Sequence, residues 1–269
     1  MRTCYYYQTF IGLEEVLQSS ENVDEIIISS IHFDTNKQNQ IQIYLNDNIP
    51  DSKQFDTLWT QTKACQEKNI DVLVMMGGAG LAFQVFFKHM SEAYPQLLNF
   101  LKKRPWIKGI DLDVEEYVNI SNIKKLIDSI KQDMGSDFRI TMAPLGSSLS
   151  TDNPGMGSFS YKQLYNSPQG KQIDVFHAQC YGGSFSKQMY ESMVKNGYPP
   201  EKICMGMMSG DFDSHTYENA VTVSKEIREI YPTMNGVFVW EYIDSPPDRQ
   251  HPIEWANGFK QNVNYCSLS

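Results

Sequence analysis

A chain of 269 residues, 41% hydrophobic and 20% charged, can bury a core without disulfide or metal staples. Its 32 acidic against 23 basic residues give a formal charge of −9, which argues against a broad footprint on nucleic acid or an anionic membrane. No apolar run approaches the roughly 18 residues that a spanning helix needs, the longest candidate being Ile70-Asp71-Val72-Leu73-Val74-Met75-Met76.

From the N-terminus, a β-rich run at residues 3–8 precedes helical periodicity at 13–20. A second strand, 25–33, leads into a segment at 34–51 whose alternating Gln40-Ile41-Gln42-Ile43-Tyr44-Leu45 predicts part of a β-hairpin, followed by a helix at 54–68. Strand 71–76 and helix 82–103 come next, then strand 107–114 and helix 120–134. After strand 138–143 the connection 144–172 is rich in Gly, Ser, Asn and Pro, and only 161–165 reads as a helical turn. Strand 173–181, helix 190–196, strand 203–208, helix 217–231, strand 236–240 and helix 252–262 complete the chain.

Runs such as Ile26-Ile27-Ile28 and Gly236-Val237-Phe238-Val239-Trp240 are apolar on both faces, as parallel strands covered by helices are. Eight such strands alternating with helices predict an α/β fold, a (β/α)8 or TIM barrel forming a single domain over residues 1–269. A doubly wound sheet would have fewer strands and a glycine-rich first turn, and Thr9-Phe10-Ile11-Gly12 lacks that fingerprint. Cys4, Cys65, Cys180, Cys204 and Cys266 form neither a CxxC pair nor a disulfide framework and read as reduced, buried thiols. Residues 1–8 lack an apolar signal region, so a cytoplasmic or non-classically exported protein is expected.

Chemistry concentrates on the fourth strand. In Trp106-Ile107-Lys108-Gly109-Ile110-Asp111-Leu112-Asp113-Val114-Glu115-Glu116-Tyr117, alternation puts Asp111, Asp113 and Glu115 on one face and Ile110, Leu112 and Val114 on the other. The apolar set meets the helices, which sends the acids into the barrel and toward its C-terminal mouth. Neighbouring carboxylates cannot all ionise comfortably, so they need a shared proton or a cation. Metal sites usually recruit acids from several strand ends, so neither metal nor cofactor is expected. Glu116 is the weaker candidate by alternation. His177 shares the inward face with Gln179 and Tyr181 and reads as a core histidine, while His32, His89, His215 and His251 show no ligand spacing.

The segment Gly109-Ile110-Asp111-Leu112-Asp113-Val114-Glu115 resembles the DGxDxDxE signature of glycoside hydrolase family 18, the chitinases and endo-β-N-acetylglucosaminidases, with Lys108 replacing the first aspartate and turned away from the catalytic face. Met75-Met76-Gly77-Gly78 is similar to the family's SxGG motif with Met75 in place of serine. Met142-Ala143-Pro144 ends the fifth strand as in the family, and His177-Ala178-Gln179-Cys180-Tyr181 resembles the QxY form of its sixth-strand motif. Gly236-Val237-Phe238-Val239-Trp240-Glu241-Tyr242 resembles the eighth-strand tryptophan segment.

The resemblance implies a retaining glycosidase acting on β-1,4-linked N-acetylglucosamine in an oligo- or polysaccharide, working as a monomer with no nucleic-acid or membrane partner. Glu115 would be the general acid. Asp113 would orient the substrate's own acetamido group, Asp111 would share a proton with Asp113, and Tyr181 would donate to the acetamido oxygen. Gln179 and Trp240 would position and floor the reacting sugar, with Met142, Gly78, Tyr6 and Asp211 as further substrate contacts. Glu241 is placed between a contact and a solvated loop. Chitin and the chitobiose core of N-glycans both fit, and a lectin on the same barrel is disfavoured by the presence of Glu115. No domain is inserted between the seventh and eighth strands, which predicts an open groove suited to endo-cleavage.

Overall fold

The computed structural model describes residues 1–211 and 214–261, with the backbone only for Ser214 and His215. Asn262 and Cys266, and the side chain of His215, therefore lie outside the described residues. Nine strands are described: β1 Arg2–Tyr7, β2 Glu25–Thr35, β3 Ile41–Leu45, β4 Asp71–Gly77, β5 Gly109–Asp113, β6 Arg139–Met142, β7 Val175–Gln179, β8 Ile203–Met208 and β9 Gly236–Trp240. All but β3 pair in parallel, in the order β1-β9-β8-β7-β6-β5-β4-β2, and a β1–β2 pairing closes the ring. This is the (β/α)8 barrel that the eight runs predict, built as one domain.

Alternation along each strand sorts side chains into two layers. Cys4, Tyr6, Ile27, Leu73, Met75, Val175, Cys204 and Phe238 fill the barrel. Their sequence neighbours, among them Tyr5, Ile26, Val74, Leu112, Met142 and Met205, pack between barrel and helices. Gly206 exists for the inner layer: a Cβ there would stand 1.8 Å from Phe238 Cζ, so a side chain would displace the ring.

At the N-terminal end of the barrel Arg2 and Arg139 clamp Glu25 and Asp71. Glu25 Oε2 accepts from Arg2 at 3.0 Å and from Arg139 at 2.5 Å, and Asp71 Oδ2 accepts from the same two at 2.6 and 2.9 Å. Burial opposes ionisation of Glu25, but Arg139, His177 and Arg2 hold its carboxyl well below the usual range. Lys108 is exposed near this end, donating to the Pro105 carbonyl at 3.1 Å. The lysine departure from the family signature thus stays clear of the barrel mouth.

The predicted hairpin is present, with β3 antiparallel to the outer half of β2 and Ile43 opposite Phe33. Its open edge is blunted by Gln96, which accepts from the Ile43 amide at 3.0 Å and donates to the Ile41 carbonyl at 2.8 Å. Two helical expectations need correction. The pattern over 82–103 is two helices, Ala82–Lys88 and Met90–Lys102, bent apart at His89 (φ −120°, ψ 33°). Phe83, Phe86, Leu97 and Phe100 are all buried, so the apolar periodicity runs through the bend. The polar connection 144–172 holds Gly146–Ser150 as a short helix besides the predicted Tyr161–Tyr165. Leu149 is buried there and Ser150 donates to the Gly146 carbonyl, two features that a Gly/Ser composition hides.

Cys4, Cys65, Cys180 and Cys204 are free and buried, as expected. Among the described residues no helix is long and apolar enough to cross a membrane.

Candidate active site

The outer ends of β1, β2, β4, β5, β7, β8 and β9 surround a pocket of about 380 Å³ at the barrel mouth, within the usual range of small-molecule sites. Asp113, Glu115, Gln179, Tyr181, Trp240, Gly78 and Met75 line it, all singled out in the sequence. Gln8, Ser30, Ala79 and Met208 line it too and were missed. Gln8 and Met208 lie at or just past the C-terminal ends of their strands, a position that could have flagged them.

The carboxylate strand forms a gradient of burial. Asp111 is fully buried, Asp113 is 5% exposed, and Glu115 is partly exposed in the pocket. Asp111 is richly satisfied: Oδ1 accepts from Thr141 Oγ1 at 2.5 Å and faces His177 Nδ1 at 3.2 Å, while Oδ2 accepts from Tyr6 at 2.9 Å. Asp113 has one side-chain donor, Gln179 Nε2 at 3.1 Å, and the same nitrogen reaches Glu115 Oε1 at 3.4 Å and the Ala143 carbonyl at 2.8 Å. Burial first, then the charges of Glu115 and Asp111, push the Asp113 carboxyl well above its ordinary range. Asp113 therefore resists ionisation.

Gly77 and Gly78 bring the end of β4 against this strand. A Cβ at Gly77 would stand 2.1 Å from the Asp113 carbonyl, and the Gly78 amide donates to that carbonyl at 2.9 Å. Both have positive φ, which suits glycine. The Met75 side chain fills the corner where the family motif has serine, with Ser29 Oγ 3.6 Å from its sulfur.

Tyr181 and Trp240 are partly buried walls of the pocket. Burial, then Asp113 and Glu115, hold the Tyr181 phenol well above its usual pKa, so its hydroxyl remains a donor. The Trp240 ring packs on Tyr6 with centroids 5.4 Å apart. Tyr6 itself is 2% exposed and sits beneath the pocket. Burial opposes a charge on His177, yet Asp111, Cys4 and Glu25 draw its pKa well above the ordinary value, making it a buried cation between carboxylates. Thr141 was not singled out by sequence reading. Its position beside outward-facing Met142 would have placed it inward.

Other expected contacts fall elsewhere. Met142 is fully buried between barrel and helices, because Thr141, opposite Asp111 in the β5–β6 register, takes the inward face. Asp211 is exposed and does not line the pocket; it accepts from the Gly182 amide at 2.8 Å and braces the turn after Tyr181. Glu241 accepts from the Gln8 and Thr9 amides at 2.7 and 2.8 Å, tying the loop after β1 to the end of β9. Glu116 points away from the pocket and accepts from the Phe83 amide at 2.6 Å, at the start of the helix Ala82–Lys88.

The barrel mouth, built around an acidic strand, an amide-tyrosine strand and a terminal tryptophan, resembles that of glycoside hydrolase family 18, as the strand motifs do. No protein-family model and no curated protein gives a significant match to the sequence. Solved structures do match. A chitinase from Aspergillus fumigatus is 27% identical, with a TM-score of 0.83 over 97% of this chain and 99% of that one. A fungal endo-β-N-acetylglucosaminidase of glycosyl hydrolase family 18 is 28% identical, with a TM-score of 0.82 over 96% of each chain. A family 18 chitinase from Pseudoalteromonas aurantia shares the fold at 18% identity and a TM-score of 0.73. The resemblance carried by the strand motifs is borne out: the chain is a compact, single-domain barrel similar over nearly its whole length to solved family 18 structures.

Proposed function

We propose that the protein is a retaining endo-glycosidase that cleaves β-1,4 linkages after N-acetylglucosamine, with Glu115 as general acid and base. The observation that carries this reading is the single Gln179 nitrogen placed between Asp113 at 3.1 Å and Glu115 at 3.4 Å inside the pocket. An acid that shares its donor with a second carboxyl in a partly enclosed pocket suits the proton transfer that a leaving alkoxide requires.

In the first step the substrate's acetamido oxygen attacks the anomeric carbon while the bond to the glycosidic oxygen breaks and Glu115 gives that oxygen its proton. The resulting oxazolinium is cationic at nitrogen, where Asp113 stabilises it, and the Tyr181 hydroxyl steadies the acetamido oxygen. Asp111, held by Thr141, Tyr6 and His177, takes up the proton-sharing role as Asp113 turns to the substrate. Water then gives a proton to Glu115 and attacks the same carbon, opening the oxazolinium with net retention. Trp240 offers the reacting sugar an apolar face.

The connection from β8 to β9 contains no inserted domain, which favours cleavage within a chain. A chitin oligomer and an N-glycan chitobiose core present the same linkage, and the two fungal structures matched at 27% and 28% identity are one enzyme of each kind. Glu115→Gln is expected to cut turnover of a chromogenic chitobioside by about 10²–10⁴-fold with ligand binding retained; full activity in that variant overturns the assignment. Product analysis on chitin oligomers beside a high-mannose glycopeptide separates the two substrates.

A further inference from the structure

Below the candidate active site, three inward-facing side chains have no part in the proposed hydrolysis as metal ligands or nucleophiles. Cys4 comes from β1, and His177 and Cys204 are direct partners in the β7–β8 register. One ligand atom from each lies within 4.8 Å of the others, and none of the three residues is more than 1% exposed. Beside them stands Glu25, whose carboxylate faces His177. Its Oε2 is clamped by Arg2 and Arg139, and Oε1 is buried and stands 3.4 Å from His177 Nε2.

The geometry points to a binding site for a thiophilic divalent cation of the zinc kind, held by Cys4, Cys204 and His177 at the centre of the barrel, with the Glu25 carboxylate beside the imidazole. Two thiolates and an imidazole are ligands that zinc prefers, and the Glu25 carboxylate stands 3.4 Å from the imidazole. Thiolates select such a cation over magnesium or calcium. His177 is oriented for the role: Nδ1 faces Asp111 at 3.2 Å, which leaves Nε2 for the cation in a carboxylate–histidine–metal arrangement. Charge is also provided for. Two thiolates and Glu25 exceed a divalent cation by one negative charge, and Arg2 and Arg139 lie against Glu25 to offset it. Uptake displaces the thiol protons and the proton on the ring nitrogen, and it joins β1, β7 and β8 from the inside. The ligands stand at positions 4, 177 and 204, with no short motif to mark them in the sequence.

The test uses the full chain produced in cobalt-supplemented medium, with bound cobalt measured by elemental analysis and by thiolate-to-cobalt charge-transfer absorption. One equivalent per chain with these bands is expected. Cys4→Ser and Cys204→Ser should each weaken or abolish the bands, while Cys65→Ser, which changes another buried thiol, should leave them intact. Folded wild-type protein without cobalt overturns the proposal, and so do unchanged bands in both Cys4→Ser and Cys204→Ser. If a serine variant fails to fold, the wild-type stoichiometry and spectrum decide alone. None of these readouts depends on glycosidase activity.

Discussion

The Thr141 hydroxyl donates to Asp111 Oδ1 at 2.5 Å, and this bond decides how two neighbouring buried acids divide their roles. With Tyr6 and His177 it gives Asp111 three partners, whereas Asp113 has the shared Gln179 amide as its one side-chain donor. Asp113 is thereby left with the fewer donors, in keeping with the raised pKa that burial, Glu115 and Asp111 give it. Thr141→Val keeps the volume and removes the donor. It is expected to cost about 1.5–3 kcal/mol at neutral pH, the range for a hydrogen bond to a charged group. Urea unfolding measures this directly, and a midpoint equal to wild type would mean that the hydroxyl contributes nothing.

Asp113 links stability to pH. Burial, with Glu115 and Asp111 nearby, raises its folded pKa, so ionising it penalises the folded state. The penalty is absent below the unfolded value of about 3.9 and grows as pH rises toward the folded value. Asp113→Asn removes that titration. The melting temperature of the variant should therefore gain on wild type as pH is raised from about 4 through neutrality. Activity should fall by about 10²-fold or more, since the group that stabilises the oxazolinium is lost. A melting difference independent of pH would show that Asp113 is not held protonated.

The barrel was legible in the sequence because its strands are apolar on both faces and recur eight times, a pattern that survives errors at strand ends. The acidic face was legible for the same period-two reason. Parity tells which face a side chain takes but not what stands opposite, so the partners of Asp111 went unread. Met142 illustrates the limit: motif similarity set it at the sugar, while parity with Asp111 and Thr141 turned it outward. Glu25, His177, Cys4 and Cys204 meet only because the sheet closes on itself, a relation that no spacing along the chain expresses.

At the opposite end of the barrel from the pocket, Arg139 and Arg2 neutralise a fully buried Glu25. The pair is a weak source of net stability, but breaking it strands a charge in the interior. Arg139→Met keeps much of the packing and leaves Arg2 as the remaining guanidinium partner. A loss of about 3–5 kcal/mol is expected in denaturant unfolding at pH 7. Because Glu25 is remote from the pocket lining, KM for a chitobioside should stay within about twofold of wild type while the fold holds, below the roughly tenfold change that 1.4 kcal/mol of lost binding would produce. A stability loss below 1 kcal/mol would mean that Arg2 alone satisfies the carboxylate.

Gln179 offers the sharpest kinetic test. Its amide nitrogen carries two protons and serves three acceptors, Asp113, Glu115 and the Ala143 carbonyl, so the two carboxyls share what the carbonyl leaves. Gln179→Leu fills similar space and removes the donor from both acids at once. The Gln179 bond opposes the upward shift of the Asp113 carboxyl, so without it Asp113 ionises less readily, and a neutral Asp113 is a poorer partner for a cationic intermediate. The expected result is a fall in kcat of about 10²-fold, with KM changed much less, because the lost stabilisation belongs to the transition state. Steady-state kinetics on a chromogenic chitobioside would show this. A rise in KM at unchanged kcat would instead make Gln179 a simple sugar contact and return the placement of charge to Asp111 and Tyr181.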